Sequence, residues 1–407
     1  MKDKKFLVSV FVLLALFATA LFGLTGRESK KKVALDYLPR VTGVALQAND
    51  LSHLYMASRQ GFYLTTVDKQ AELLARKGDN LTAFATVPNS AGLMYASGFS
   101  STEKPLGFLR SSDGGRIWAR ISNGADGPVG FHALAVSQSD PKTIYGASKG
   151  MQVSHDGGKT WSKVGGELPG LYNLAVSSMD SKRLYAATRG GLMVSQDGGE
   201  HWIDAYQFQL PVTLVRVTEK GVLYAYILGK GLMRTTESTL DWELVNNEFG
   251  SQVLLQMVTT PDDPNQLMVL SNFGRVLVSQ DGGKSWHRFS GDLQPSNTAE
   301  KRGEELYVQN CQTCHGLQGV GETFTPEVLR QAKYFFAPPL NDLSHAWHHT
   351  DDALVETILE GVERTDRMRA WKDKLSKQDA QDVVAYIKSQ WGPRALECQG
   401  PKHMQCM

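Results

Sequence analysis

The sequence has few cysteines, only four in 407 residues. Cys311 and Cys314 lie close together, whereas Cys398 and Cys406 lie near the C-terminus. Small exported proteins that depend on disulfides for stability have more cysteines, in closer pairs. The scarcity therefore excludes a disulfide-rich scaffold, and each cysteine pair calls for its own explanation.

The sequence also lacks an excess of charge of either sign, with 43 basic and 42 acidic side chains. Balanced charge provides no global attraction to a polyanion, so we expect no nucleic-acid partner. Prolines are scarce at 15, whereas there are 39 glycines and eight tryptophans. Such a composition is typical of a folded chain rich in tight turns, and its length favours more than one domain.

A long uncharged run lies at the N-terminus, where residues 6–24 follow Lys2, Lys4 and Lys5. A basic start followed by an apolar run is typical of an export signal. The small residues Ala18-Thr19-Ala20 fit a cleavage site, but the run is also long enough to tether the chain to a membrane. We assign residues 1–32 to a signal peptide or membrane anchor. Both alternatives place the rest of the chain in a periplasmic or other extracytoplasmic compartment.

One eight-residue pattern recurs through the middle of the chain. It occurs as SSDGGRIW at 111–118, SHDGGKTW at 154–161, SQDGGEHW at 195–202 and SQDGGKSW at 279–286, with degenerate copies at 235–242 and from Thr65. Each copy is preceded by three short alternating segments and followed by a fourth, which predicts four strands per unit. Units of this kind are typical of propeller blades, and six copies predict about six four-stranded blades.

The repeated box contains residues suited to a hairpin turn. The aspartate can accept hydrogen bonds from nearby backbone amides, the glycines tolerate positive φ, and the tryptophan can pack within or between blades. The pattern resembles the Asp-box (BNR) repeat of sialidase-like and sortilin-like propellers and of photosystem II assembly factors, over about residues 43–290. The resemblance implies a propeller but says little about activity. We predict that the box aspartates cap turns rather than catalyse or bind metal: Asp113, Asp156, Asp197 and Asp281.

The pattern changes from strands to helices after a polar segment at 293–299. A helix is predicted to begin with Thr298 as its N-cap. A second helix is predicted from Ser376, with Val383, Val384 and Ile387 on one face. These features predict a small all-α domain after the all-β propeller.

The first of these helices leads into Cys311-Gln312-Thr313-Cys314-His315. Two thiols on one helical turn can bond the two vinyl groups of a haem, and the adjacent histidine can then bind the iron. A zinc site would need a second close pair of ligands, and a thioredoxin-like dithiol would need a βαβ setting. The sequence therefore predicts one covalently bound haem c.

Residues 298–392 resemble a single-haem, class I cytochrome c domain, through the LYVQNCQTCHG helix, APPL, MRAW and the terminal LSKQDAQDVVAYI. The resemblance implies that Met368 is the second axial ligand. It also implies that Pro338 or Pro339 offers its carbonyl to the other ring nitrogen of His315. Alternative second ligands are the histidines of SHAWHH: His345, His348 and His349.

The C-terminal tail contains Cys398, His403, Met404 and Cys406. In an oxidising compartment the two cysteines are expected to form a disulfide. Because cysteine, methionine and histidine are also copper ligands, a copper site is the alternative.

These observations predict a multidomain chain: a propeller at 33–292, a linker at 293–299, a cytochrome c domain at 300–392 and the tail at 393–407. The expected function is electron transfer with a redox partner protein, with the propeller as an interaction platform. One alternative is a propeller enzyme, glycosidase-like or a dehydrogenase, that uses the haem as an electron outlet. Another is an assembly or copper-handling factor.

Overall fold

A computed structural model describes residues 32–35, 38, 41–47, 50–65, 70–88, 90, 92–207, 209–260, 263–291, 293–325, 334–343 and 345–406. The predicted export segment at 6–24 lies outside these ranges. None of the helices within them has the length and apolar character needed to span a bilayer.

The first part of the chain forms six antiparallel sheets, which are the six blades of a propeller. Blade 1 contains β1 (Lys32–Ala34), β2 (Val41–Gln47), β3 (Asp50–Ser58), β4 (Gly61–Thr65) and β5 (Gln70–Ala75). Blade 2 contains β6 (Asn80–Thr86), β7 (Met94–Phe99), β8 (Phe108–Ser111) and β9 (Ala119–Ser122). Blade 3 contains β10 (Ala133–Val136), β11 (Ile144–Ala147), β12 (Met151–Ser154) and β13 (Ser162–Val164). Blade 4 contains β14 (Leu171–Val176), β15 (Leu184–Thr188), β16 (Leu192–Ser195) and β17 (Ile203–Asp204). Blade 5 contains β18 (Val212–Val217), β19 (Val222–Ile227), β20 (Gly231–Thr236) and β21 (Glu243–Asn246). Blade 6 contains β22 (Leu254–Thr259), β23 (Leu267–Ser271), β24 (Val276–Ser279) and β25 (His287–Arg288).

The ring closes by contact between the first and last blades. The innermost strands contact one another in chain order, and β22 of blade 6 contacts β2 of blade 1. Leu54 and Met56 of blade 1 pack in one apolar cluster with Met268 and Leu270 of blade 6. No described strand crosses from one of these two blades into the other, since β1 pairs with β5 on the outer edge of its own blade. Burial of apolar surface therefore closes the ring.

Each of the four intact boxes begins at the last residue of the third strand of its blade, as Ser154 does at the end of β12. The Ser154 hydroxyl donates to Asp156 Oδ1 over 2.8 Å, and the same oxygen accepts from the amides of Lys159 and Thr160 at 3.0 and 2.9 Å. The hydrogen bonds from Thr160 hold the pKa of Asp156 well below its usual range. Each intact box aspartate likewise accepts from the amide four residues later, as predicted for turn capping.

The degenerate box of blade 5 has Glu237 where the four intact boxes have aspartate. This carboxylate is only 2% exposed, and it accepts from the amide and hydroxyl of Ser178 in blade 4 at 3.1 and 2.9 Å. The longer side chain thus ties two blades together.

The box tryptophans Trp118 and Trp161 pack between blades, on aromatic rings of the preceding blade. Trp161 lies edge-on to Phe108 of blade 2, with ring centroids 5.2 Å apart. The second glycine of the same box, Gly158, has φ +85°, and a Cβ there would lie 2.0 Å from Phe108 Cε1. Glycine is needed here both for its backbone conformation and for the close approach of the ring.

The second part of the chain is a small helical domain. It contains α1 (Thr298–Asn310), α2 (Gln312–His315), α3 (Asp351–Glu360), α4 (Lys377–Ser389), α5 (Pro393–Glu397) and α6 (His403–Cys406), with 3-10 turns at Leu317–Gly319, His345–His348 and Gly400–Lys402. The predicted N-cap of α1 is wrong by one residue. Asn297 is the cap, its side chain accepting from the Glu300 amide, because an asparagine amide oxygen serves that role as well as a threonine hydroxyl. Ser376 begins α4 with a capping box, as predicted.

The core of this domain is the crossing of α1 and α4. Val383, Val384 and Ile387 are each at most 5% exposed, which confirms the predicted buried face. Gly303 of α1 lies so close to α4 that a Cβ there would lie 1.9 Å from the Asp382 carbonyl oxygen. The start of the tail belongs to the same core, in which Ala395 is buried.

Candidate haem site

Cys311 and Cys314, which form no disulfide, lie at the junction between α1 and α2. Cys311 ends α1 and is half-buried, whereas Cys314 on the next turn is exposed. The amides of Cys314 and His315 donate to the Cys311 carbonyl oxygen at 3.1 and 2.9 Å. Burial, and then the neighbouring Cys314, raise the pKa of the Cys311 thiol to about 11. One short turn thus places two thiols and an imidazole side by side.

The imidazole of His315 is buried, with 8% of the residue exposed. Its Nδ1 lies 2.8 Å from the carbonyl oxygen of Pro338. Because a carbonyl can only accept, Nδ1 carries the proton, and Nε2 is left with its lone pair. Burial lowers the pKa of His315, which favours the neutral imidazole that can bind a metal. The chain therefore prepares His315 as a ligand through Nε2.

The segment containing Pro338 is held by Glu322. Its carboxylate accepts from the Ala337 amide at 3.0 Å and from the Tyr334 hydroxyl at 2.6 Å. Arg367 donates to both oxygens of the same carboxylate, at 2.8 and 2.9 Å. A two-pronged pair of this kind fixes orientation as well as distance.

Arg367 immediately precedes Met368, the predicted second ligand. The Met368 carbonyl accepts from the Val362 amide at 3.0 Å, which ties the loop to the end of α3, and the residue is half-buried. Through Arg367 and Glu322 this loop is linked to the segment that contacts His315. Sequence reasoning missed both Glu322 and Arg367. The only available signal was a charged residue directly before a candidate ligand.

The described residues have the donors that a covalently bound haem requires. Two cysteines that form no disulfide lie on one turn with an imidazole whose Nε2 keeps its lone pair. A thioether lies on a loop connected by hydrogen bonds to the same segment. The donor set fits a haem c with histidine and methionine as axial ligands.

The histidines of the 345–349 turn lie beside the tail. The ring of His348 stacks on that of His403, with centroids 4.5 Å apart and an interplanar angle of 14°. Cys398 and Cys406 form a disulfide, so neither offers a thiolate to a metal. Among the residues that the structure describes, no group of three or more His, Cys, Asp or Glu is arranged to hold a metal ion. Copper is thus not shown at this end of the molecule.

Comparison with known families agrees with this geometry. The family described as "Cytochrome C oxidase, cbb3-type, subunit III" matches residues 298–387, and the "BNR/Asp-box repeat" matches residues 152–163 and 277–288. The chain is an Asp-box propeller followed by a cytochrome c domain. Such a domain implies a covalently bound haem c and haem-based electron transfer.

One curated relative of the cytochrome c domain is the cbb3-type cytochrome c oxidase subunit FixP of Bradyrhizobium diazoefficiens. It is 31% identical over 91 residues, which are 22% of this chain and 27% of the relative. The chain thus spans about a quarter of the length of that protein, and the likeness is confined to one domain.

Among solved structures, the propeller resembles a GH74 enzyme of Niastella koreensis, with 16% identity, a TM-score of 0.49, and coverage of 64% of this chain and 47% of the enzyme. It also resembles YCF48 bound to D1 peptide, with 16% identity, a TM-score of 0.43, and coverage of 63% and 84%. Scores this low carry no conclusion about substrate or partner.

Proposed function

We propose that this chain is an extracytoplasmic electron-transfer protein with one haem c, anchored through Cys311 and Cys314 and ligated by His315 and Met368. The hydrogen bond from His315 Nδ1 to the Pro338 carbonyl carries the proposal, because it fixes the tautomer that leaves the Nε2 lone pair available to a metal on the turn that holds both thiols. When bound, a haem c supplies one-electron transfer.

Methionine is the preferred second ligand because the rival histidines have other partners. His348 stacks on His403, and the rings of His345 and His349 lie 5.6 Å apart in the same cluster near the tail. The Met368 loop, in contrast, is linked through Arg367 and Glu322 to the segment that orients His315. A histidine and a methionine together occupy both axial positions, which favours electron transfer over substrate binding at iron.

The propeller is proposed as the interaction platform for a redox partner protein. Its intact box aspartates are all engaged by the amides of their own turns, which supports a scaffold rather than catalysis. The disulfide between Cys398 and Cys406 and the haem c both support an extracytoplasmic location.

The proposal can be tested on full-length protein expressed with export. Mass spectrometry and a pyridine haemochrome assay are expected to find one covalently attached haem. A polypeptide without added tetrapyrrole would overturn the proposal.

Ligation can be tested with Met368→Ala, which is expected to keep the covalent haem and lose the weak charge-transfer band of methionine-ligated ferric haem. The control is Met179→Ala, because Met179 is 71% exposed on the propeller. If the band persists in the Met368 variant, the second ligand is another residue.

The platform role can be tested by assaying the full-length chain for glycoside hydrolysis and for dye-linked substrate oxidation. We expect turnover no higher than in a buffer control. Sustained turnover would favour the enzyme alternative over the platform.

A further inference from the structure

Asp342 of the cytochrome c domain forms ion pairs with two arginines of blade 6. Arg275 donates to one oxygen of its carboxylate, and Arg288 donates to the other over 3.3 Å. The three side chains are only 9–11% exposed. The carboxylate also accepts from the Gly392 amide at 3.0 Å, just beyond α4. Removing one partner of a buried ion pair strongly destabilises the folded structure, because the remaining charge stays buried without compensation.

A second contact joins the loop before β22 to the turn after α2. The amide and hydroxyl of Ser251 both donate to the Val320 carbonyl oxygen, at 3.1 and 3.0 Å. Gly250 has φ +58°, and a Cβ there would lie 2.6 Å from both Val320 Cγ2 and the Val320 carbonyl oxygen. The propeller backbone thus lies directly against the turn that follows the haem-binding motif.

Both contacted segments are the ones that hold His315. The segment that Ser251 contacts contains Gly321, whose amide donates to the His315 carbonyl at 2.7 Å. The segment that the arginines contact contains Pro338, whose carbonyl accepts from His315 Nδ1, and Asp342 follows four residues later. The two segments are joined by the Leu340 amide, which donates to the Gly319 carbonyl at 2.8 Å. Residues of blade 6 and of the loop leading into it therefore contact the two segments that hold His315.

We propose that blade 6 is a structural part of the haem site, and that Gly250, Ser251, Arg275 and Arg288 are positioning residues that set the environment of His315. This inference rests on the proposed function, because it concerns the same histidine. The propeller would then hold the cytochrome c domain in one orientation and also contribute to its redox potential, since hydrogen bonding and solvent access at the ligand tune a haem.

The first test is Gly250→Ala in the full-length haem protein. The added Cβ meets Val320, so we expect the midpoint potential to fall, because water admitted to the turn favours the more highly charged ferric state. The control is Gly157→Ala in blade 3, where φ is +76° and a Cβ would meet nothing within 4 Å. Both variants have the same kind of backbone strain, and only the first touches the cytochrome c domain. Equal potentials in the two variants would overturn the positioning role.

The second test is Asp342→Ala, read by limited proteolysis of the linker at 293–297. Leaving two buried guanidinium groups without this carboxylate is expected to increase the open fraction, and hence the cleavage rate, on the order of 100-fold. The control is Glu360→Ala, which removes a pair with Lys372 whose side chains are more than half exposed. An unchanged cleavage rate would show that the domains are not held by this pair.

Proteolysis does not depend on haem, so the two hypotheses can fail separately. If the chain acquires no haem, the electron-transfer proposal is contradicted. Faster cleavage in Asp342→Ala would still support the interface between the two domains. If cleavage is faster in Asp342→Ala but the midpoint potential is unchanged in Gly250→Ala, the interface is supported. Its influence on His315 is then contradicted.

Discussion

The propeller and the cytochrome c domain differ in whether their stabilising contacts are repeated along the chain. In the propeller, one set of hydrogen bonds occurs in four boxes, from serine to aspartate and from the following amides to the same aspartate. In the cytochrome c domain each decisive contact occurs once, as between His315 and Pro338 or between Gly303 and the backbone at Asp382. A repeated contact can be lost in one place while its copies remain. A contact that occurs once has no substitute, so the helical domain is expected to be the more sensitive to single changes.

The largest expected effect is that of Gly303→Ala in α1. The new Cβ would overlap the Asp382 carbonyl and force the two helices apart, at a cost of about 3 kcal/mol of the domain's stability. Circular dichroism melts should show a separate, lower transition for the helical part and an unchanged one for the propeller. Glu305→Ala, exposed on the same helix, is the control. A single unshifted transition in the glycine variant would contradict this contrast.

An intermediate effect is expected from acid, which should act on the two parts at different pH. Burial and neighbouring histidines lower the pKa of His348, and burial lowers that of His345. As the pH falls, these histidines are protonated in the unfolded chain at a higher pH than in the folded chain. The stability that they contribute is therefore present above their ordinary pKa of about 6.5 and is lost as the pH falls below it.

The box aspartates have lowered pKa values for a different reason, the amide and hydroxyl donors around them. Their contribution is complete above the ordinary carboxyl pKa of about 4 and is lost only as the pH falls further. Melts at pH 7, 5 and 3 should therefore show the helical transition falling by pH 5 and the propeller transition falling only at pH 3. His348→Gln should reduce the first change, and a propeller that melts first would contradict the assignment.

The smallest effect is expected from Asp156→Ala, which removes one of four equivalent turn caps. The propeller Tm should fall by about 2–4 °C. Combining it with Asp197→Ala should give the sum of the two shifts, since the boxes lie in different blades. Asp126→Ala, which removes an exposed pair with Lys163, is the control. A loss of the whole propeller from one box would show that the copies are not independent.

Repetition explains why so much of the propeller could be predicted. Six copies of a strand-turn-strand pattern identified six blades, and the fourth strand follows the tryptophan as expected, for example in β13 after Trp161. The closure of the ring could not be predicted, because it depends on packing between Leu54 and Met268, which are far apart in sequence and belong to no pattern. The single-residue error at Asn297 arose because neighbouring residues can both act as helix caps.

At the candidate site, the Cys-x-x-Cys-His motif indicated the cysteines and His315, and sequence resemblance indicated Met368 and the Pro338 region. The structure selects the Pro338 carbonyl as the partner of His315. The axial role of Met368 stays a prediction. The pair of Glu322 and Arg367 could not be predicted, because 45 residues separate them. Charged residues are common on protein surfaces, so neither position differs in sequence from a solvent-exposed one.

By itself, the sequence determined the local chemistry: which turns form, which residues cap helices, and where two thiols and an imidazole share one helical turn. These properties depend on residues within a few positions of one another, and their patterns can be read directly. Only the tertiary structure decided how the ring closes and that blade 6 holds both segments around His315. Those contacts join residues as far apart as Arg275 and Asp342, and it is the folding of the chain in three dimensions that brings them together.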